Sequence, residues 1–312
     1  MPGPSFRAAP VRVRVPATSA NLGPGFDSFG LALQLYDDVV VRVAESGLSV
    51  DVAGEGADDV RRDKRNLVVR SVHATFDLLG GQPRGLEVVC ANRIPHGRGL
   101  GSSAAAIVAG VLAARELVLG GPEKLPDDAM LRLAAQLEGH PDNVAACLFG
   151  GFTIAWNEDD EFGSVSRALR LDVHPDLSPV AFVPETKAST AKVRKLVPEQ
   201  VPHHDAATNA ARAALLVEAI TRRPDLLLVS TADLLHQPYR ASAMTRSAAL
   251  VERLRAAGIP AVISGAGPTV LALTTAVTAA DVAASADLGS RWFTASQLPV
   301  DTLGARVVGL DA

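Results

Sequence analysis

Strict alternation runs through Val11-Arg-Val-Arg-Val15, with valines on one face and arginines on the other, and predicts a half-buried strand ending at Pro16. A loop rich in Gly, Asn, Ser and Pro is expected over 17–29, followed by strands at 39–43, 48–52 and 86–91. Between these, Leu67, Val68, Val72, Phe76 and Leu79 recur at helical spacing from Asn66 and stop at Gly80-Gly81. The Ala-rich run 102–119 predicts a buried helix that ends near Gly120-Gly121-Pro122. A helix over 127–137 runs into Glu138-Gly-His-Pro-Asp-Asn143, whose Gly and Pro break it, and 152–156 predicts a strand. The second half reads as a strand at 179–183 and helices near 189–196, 206–221, 224–235 and 242–257. Strands at 261–264 and 269–273 flank Gly265-Ala-Gly-Pro268. A helix near 278–287 and strands near 291–295 and 305–308 finish the chain. Strands mixed with helices in both halves predict an α+β fold. The polar stretch 157–168 suggests a division into residues 1–168 and 169–312.

Composition narrows the function classes. With 312 residues, 48% hydrophobic and 21% charged, the chain has enough apolar side chains for a packed core and is not disordered. A net charge of −4 leaves no electrostatic footprint for nucleic acid. Residues 1–10 lack an apolar core and read as a tail rather than a signal peptide. The longest apolar run, 104–114, is too short to span a bilayer, so a cytoplasmic protein without a membrane partner is expected. Cys90 and Cys147 sit in apolar segments and read as buried core residues. His203-His204-Asp205 lacks the spacing of a complete metal site and reads as loop.

The densest chemistry lies in 93–106, Arg-Ile-Pro-His-Gly-Arg-Gly-Leu-Gly-Ser-Ser-Ala-Ala-Ala. Gly97, Gly99 and Gly101 let the backbone bring its N–H groups close to a ligand. The helix that follows aims its free N–H groups and positive dipole end into the loop, which suits a phosphate. The chain has no Gly-Lys pair for a Walker A loop, and its Gly-x-Gly-x-Gly spacing differs from the dinucleotide fingerprint. Nucleotide binding by a less common loop is the expectation.

Pro95-His-Gly-Arg-Gly-Leu-Gly-Ser-Ser-Ala104 matches every fixed position of the central motif of the GHMP kinase superfamily, which the chain resembles. Pro16-Ala-Thr-Ser-Ala-Asn-Leu-Gly-Pro-Gly-Phe-Asp27 is similar to the first motif of the homoserine kinases within it. Ser264-Gly-Ala-Gly-Pro-Thr269, His140-Pro-Asp-Asn143 and Gln237-Pro-Tyr-Arg240 follow in family order, so the resemblance spans about residues 11–309. It implies two domains, the first with a left-handed βαβ crossover, and ATP and substrate bound between them.

The resemblance further implies ATP held by Pro95, His96, Gly97, Arg98, Gly99, Leu100, Gly101, Ser102, Ser103, Ala104 and Ala105, with Ser103 and Glu138 as Mg2+ ligands. A hydroxyl and a carboxylate are the hard oxygen donors that Mg2+ prefers. The implied substrate is L-homoserine, bound by Asn21, Asp27, His140, Asp142, Arg194, Arg240 and Gly267, with O-phospho-L-homoserine and ADP as products. Asp27 suits the ammonium group, and the two arginines suit the carboxylate. Asn143 would orient the hydroxyl, with Asp142 the competing candidate if a carboxylate base is used; Glu138 completes the catalytic set. Two departures stand out: the Glu138-Gly-His140 link is shorter than is common in the family, and Arg98 replaces an often small residue, where it would either add a phosphate contact or, as is favoured, extend into solvent. Another small alcohol such as mevalonate or shikimate, or a non-catalytic ATP or amino-acid sensor, remain the rival readings. The family is often dimeric, which leaves a homodimer open.

Overall fold

A computed structural model of the chain describes residues 3–160, 163–187, 193–284 and 292–310. The alternating segment forms β1 (Val11–Ala20), which pairs antiparallel with β2 (Phe29–Ala44). Next come β3 (Gly47–Gly54) and β4 (Gly85–Asn92), which lie side by side in parallel and are joined through helix α1 (Leu67–Leu78). They form the βαβ unit that the resemblance implies. Asn66 caps α1, accepting hydrogen bonds from the amides of Val68 and Val69. Helices α2 (Ser102–Leu117), α3 (Gly121–Lys124), α4 (Asp127–Glu138) and α5 (Asp142–Phe149) follow, then β5 (Phe152–Asp160) and β6 (Gly163–Leu171).

The first sheet runs β11-β1-β2-β4-β3, where β11 is Arg306–Val308, and the first residues of β2 pair with β5, which pairs with β6. The chain end thus returns to the sheet that its beginning started. The second sheet has the order β10 (Phe293–Gln297), β7 (Val180–Pro184), β9 (Val270–Ala272), β8 (Ala261–Ile263). Its helical elements include α6 (His203–Thr221), α7 (Leu227–Ser230), α8 (Gln237–Arg240), α9 (Thr245–Ala256) and α10 (Ala276–Ala284).

Several differences from the sequence pattern have physical reasons. β1 does not stop at Pro16: its register with β2 jumps from Pro16↔Tyr36 to Ala17↔Leu33, so the partner strand bulges where Pro16 has no N–H to offer. The stretch expected as loop over 17–29 therefore begins and ends as buried strand. The break foreseen after α4 is a single turn, and α5 starts at Asp142. Within the polar stretch, 157–160 end β5 and pair with 163–166 of β6, and residue 168 lies within β6. His203 and His204 open α6 rather than a loop. The helix expected over 224–235 divides because the Asp233 carboxylate accepts from the amides of Leu235, His236 and Gln237, ending one run and capping α8. The expectations at 189–196, 278–287 and 291–295 lie partly outside the described residues.

α2 is central. Its apolar residues from Ala104 to Leu117 pack against β1 and β2 on one side and α1, α4 and α5 on others. Gly110 allows the α1 contact, because a Cβ there would lie 2.6 Å from the Val68 carbonyl oxygen. Cys90 and Cys147 are buried in this core, and burial pushes the Cys90 thiol up to about 12, keeping it unreactive. No described helix is long and apolar enough to cross a membrane.

Gly30, in β2, marks where the strand meets α5: a Cβ there would sit 2.5 Å from the Asp142 carbonyl oxygen and 2.8 Å from Ala146 Cβ. Gly30→Ala is expected to lower stability by about 1–3 kcal/mol, as overpacking typically does. Urea denaturation checks this, and an unchanged midpoint would mean that α5 can move away freely.

Candidate active site

The 93–101 loop is fixed at its entry by Asp37. One carboxylate oxygen accepts from the amides of Arg93 (2.6 Å) and Ile94 (2.9 Å). Burial pushes Asp37 up to about 6, against the pull of those two donors. Ile94 and Leu100 are fully buried, and the Leu100 carbonyl accepts from the Thr18 amide at 3.1 Å. Between these anchors Gly97, Gly99 and Gly101 take φ of 67°, 82° and 71°, values that strain other residues. A Cβ on Gly99 would overlap the Ser264 carbonyl, and one on Gly101 would overlap the Thr18 hydroxyl. Ser264 in turn donates its hydroxyl to Gly99 O at 2.6 Å, closing the third loop onto the second. Gly101 caps α2 without a side chain, so the first amides of the helix stay open toward the loop.

At this end Ser103 donates its hydroxyl to Glu138 at 2.6 Å. Burial raises the Glu138 pKa, opposed by Ser103 and by His140. Gly139 takes φ 94°, which ends α4 and lets Glu138 and His140 line one cavity despite their short link. His140 bonds Asp142 at 2.7 Å, and that bond raises the His140 pKa. The same Asp142 oxygen accepts from the Asn143 backbone amide (2.7 Å) and side-chain amide (3.3 Å). The Asn143 side-chain oxygen accepts from the Thr18 hydroxyl at 2.7 Å.

The first motif folds into a tight turn in which Asn21, Leu22 and Asp27 all have positive φ. Strained backbone of this kind persists only where its surroundings hold it. Asn21 supplies two ties, donating to Gly265 O (2.9 Å) and accepting from the Asp27 amide (2.9 Å), while Leu22 is fully buried. The Asp27 carboxylate pairs with Arg194. Arg240 is 4% exposed, lies 4.9 Å from the Phe26 ring centroid, and has a buried Nε with no partner.

These groups face a polar cavity of about 200 Å³, walled by Asn21, Asp27, Glu138, His140, Asp142, Asn143, Arg194 and Arg240 together with the glycines of the loop, Ser102 and Ser103. It shares Ser102 and Ser103 with an apolar cavity of about 250 Å³ that Val39, Val52, Val60, Leu67 and Val68 line, with Asp37, Asn66 and Asn92 as polar members. Expectation and structure differ at three kinds of position. Gly267 does not line the polar cavity: Gly265 and Ala266 do, and Gly267 faces Met244. Arg98 does not extend into solvent: Nη2 donates to Glu185 O at 3.2 Å, Nε is buried, and the side chain is 20% exposed. Its reach is set by the bend after β7, which the local sequence around Arg98 does not reveal. Leu100 and Ala104 are buried in the core, so any contact they make with a nucleotide is through backbone. Thr18 and Asp37 escaped the sequence reading, although a carboxylate pair, Asp37-Asp38, interrupting an apolar run was a usable signal.

Among the described residues no group of three or more His, Cys, Asp or Glu could hold a metal alone. Ser103 and Glu138 do present two hard oxygens at an open helix end. That fits a Mg2+ ion whose remaining positions go to phosphate and water.

Residues 66–151 match the family model described as GHMP kinases N terminal domain, and residues 211–287 the one described as GHMP kinases C terminal. A homoserine kinase of Streptomyces avermitilis is 63% identical over 312 residues, covering 100% of both chains. A homoserine kinase of Streptomyces coelicolor is 63% identical over 310 residues, 99% of this chain and 98% of that one. The crystal structure of homoserine kinase from Cytophaga hutchinsonii superposes with a TM-score of 0.80 at 25% identity, covering 99% of this chain and 100% of that one. The chain belongs to the GHMP kinase family.

The raised Asp37 pKa has a testable consequence. The fold favours the neutral carboxyl, so this contribution to stability is full at pH below 4 and is lost as pH rises through about 6. Asp37→Asn keeps an acceptor for the two amides and does not titrate. The stability difference between wild type and variant is expected to shift against wild type by about 2–3 kcal/mol between pH 4 and 7. Urea denaturation of both at several pH values checks it; parallel curves would show an ordinary carboxyl.

Proposed function

We propose that this GHMP kinase transfers the γ-phosphoryl group of ATP to the side-chain hydroxyl of L-homoserine, giving ADP and O-phospho-L-homoserine for threonine synthesis. The observation that carries the reading is the polarity of the cavity. Its wall combines an acid and two arginines, Asp27, Arg194 and Arg240, with the open N-terminus of α2, Ser103 and Glu138. An amino acid with a terminal hydroxyl spans such a cavity with its charges at one end and its hydroxyl at the other.

The apolar cavity accepts the adenine, and the Gly97–Gly101 backbone lies where the phosphates pass. Phosphoryl transfer needs positioning and charge neutralisation more than covalent help from the protein. Mg2+, held by Ser103 and Glu138, supplies neutralisation of the phosphate oxygens when bound. On the substrate side, the resting Asp27–Arg194 pair becomes two pairs: the ammonium joins Asp27 and the carboxylate joins Arg194 and the guanidinium of Arg240. No buried charge is then left alone, which keeps the cost of desolvation low. Asn21 holds the Asp27 backbone, and His140 closes the wall beside Asp142.

We assign the orientation of the reacting hydroxyl to Asn143, itself held by Thr18 and Asp142. Asp142 has one oxygen engaged by His140 and by both amides of Asn143, so its part is to hold those two groups. With a loose transition state the hydroxyl proton leaves late and a strong base is not required. In this reading residues 1–168 carry the nucleotide end and residues 169–312 bring Arg194, Arg240 and the 264–268 loop. Dependence on ATP fits a cytoplasmic enzyme.

Mg2+-dependent ADP release, with L-homoserine, mevalonate, shikimate and galactose supplied separately, tests the reading. Release with homoserine alone is expected; release with an alcohol that has no ammonium group would overturn it, and silence with all four would favour a nucleotide-binding sensor. Asp27→Ala is expected to lower kcat/KM for homoserine by more than about tenfold, because the substrate ammonium loses its counter-charge, with the KM for ATP little changed. A loss under about tenfold would remove the ammonium assignment.

A further inference from the structure

Arg240 does not stand alone in the wall of the cavity. We infer that His236, fully buried and outside the cavity, is a positioning residue that holds the Arg240 guanidinium ready for the substrate carboxylate. The inference rests on the proposed role of Arg240 and assigns what makes that role geometrically defined.

The ring nitrogens settle the argument. His236 Nε2 lies 2.8 Å from the carbonyl oxygen of Gly23, which can only accept, so Nε2 carries the proton. Nδ1 of the neutral ring is then a lone pair, and Arg240 Nη1 donates to it at 3.3 Å. Burial lowers the His236 pKa and keeps the ring neutral; Asp233 and Asp27 act against this and Arg240 with it. A protonated ring would have no acceptor for Arg240 and would repel it.

The ring is itself clamped. Asp233 accepts the backbone amides of His236 (3.1 Å) and Gln237 (2.7 Å), and its carboxylate lies 3.5 Å from Nε2. Phe26 stacks on the imidazole at 4.8 Å between centroids and also lies beneath the Arg240 guanidinium. His236 is the N-cap of α8 and its carbonyl accepts from the Arg240 amide at 3.1 Å, which sets the two residues one turn apart. A single ring thus joins Gly23, in the turn that carries Asp27, to Arg240. The two ends that must grip one zwitterion are set relative to each other through His236. A ring that merely fills the core would need neither a fixed tautomer nor a donor from Arg240.

Two isosteric replacements separate the roles of the two nitrogens. His236→Asn places an acceptor near Nδ1 and loses the Gly23 bond; His236→Gln reaches Gly23 and offers nothing at Nδ1. The Gln variant is expected to raise the KM for L-homoserine about tenfold, the scale of a lost hydrogen bond to a charged group, with kcat and the KM for ATP within about twofold. The Asn variant is expected to recover most of that loss. Arg240→Ala is expected to mask the effect, so His236→Gln added to it costs nothing more, because interacting residues are not additive. Equal losses for Asn and Gln, losses that multiply with Arg240→Ala, or a parallel rise in the KM for ATP would each overturn the positioning role in favour of packing. If Arg240→Ala alone leaves the KM for homoserine unchanged, the carboxylate assignment fails first, and the role of His236 with it.

Discussion

The site depends on how closely three loops approach at Gly99 and Gly101. Their backbones meet Ser264 and Thr18 with no room for a Cβ, and the Ser264 hydroxyl closes the gap by bonding to both Ser19 (2.8 Å) and Gly99. This approach brings the amides of the second loop, the strained turn of the first and the Gly265–Ala266 segment of the third to one cavity. Everything else in the fold serves to hold it: Asp37 at the loop entry, Leu100 in the core, and Ala-rich α2 packed tightly enough to set the direction of its N-terminus.

Charge in the cavity is compensated before any ligand arrives. Asp27 has Arg194, Asp142 has His140 and Asn143, Glu138 has the Ser103 hydroxyl, and Arg240 has the His236 lone pair. An isolated buried charge would cost several kcal/mol, so this pairing lets the polar site exist inside a packed protein. It also preorganises the site: side chains need exchange partners on binding, not find new positions, and little reorganisation remains for the reacting step.

Local patterns carried much of the fold. The alternation at Val11–Val15, the helical spacing from Asn66 and the Ala-rich run report short-range geometry, and each became the element it suggested. Readings failed where a local signal was overruled by distant partners. Pro16 looks like a strand end but sits opposite a bulge that absorbs its missing donor. Residues 157–168 look like a linker, but 157–160 pair with 163–166 in the β5–β6 ladder. Arg98 departs from the motif, and its direction is decided by the Glu185 carbonyl, 87 residues along the chain.

By itself the sequence determined the chemistry in stock: a glycine loop before a helix, hard oxygen donors, an acid and arginines suited to a zwitterion, and motifs in an order that marks the family. These are properties of residue type and short spacing, and they survive without coordinates. Tertiary structure alone decided which of these groups face one another. Asp27 lies against Arg194, Thr18 against Asn143 and Gly23 against His236 because two sheets and the helices packed on them fold separate segments together. Such pairings span more than a hundred residues of chain, and no local propensity encodes them. Burial does the rest, raising the pKa of Asp37 and Glu138 and lowering that of His236 through desolvation that exists only once the core has closed.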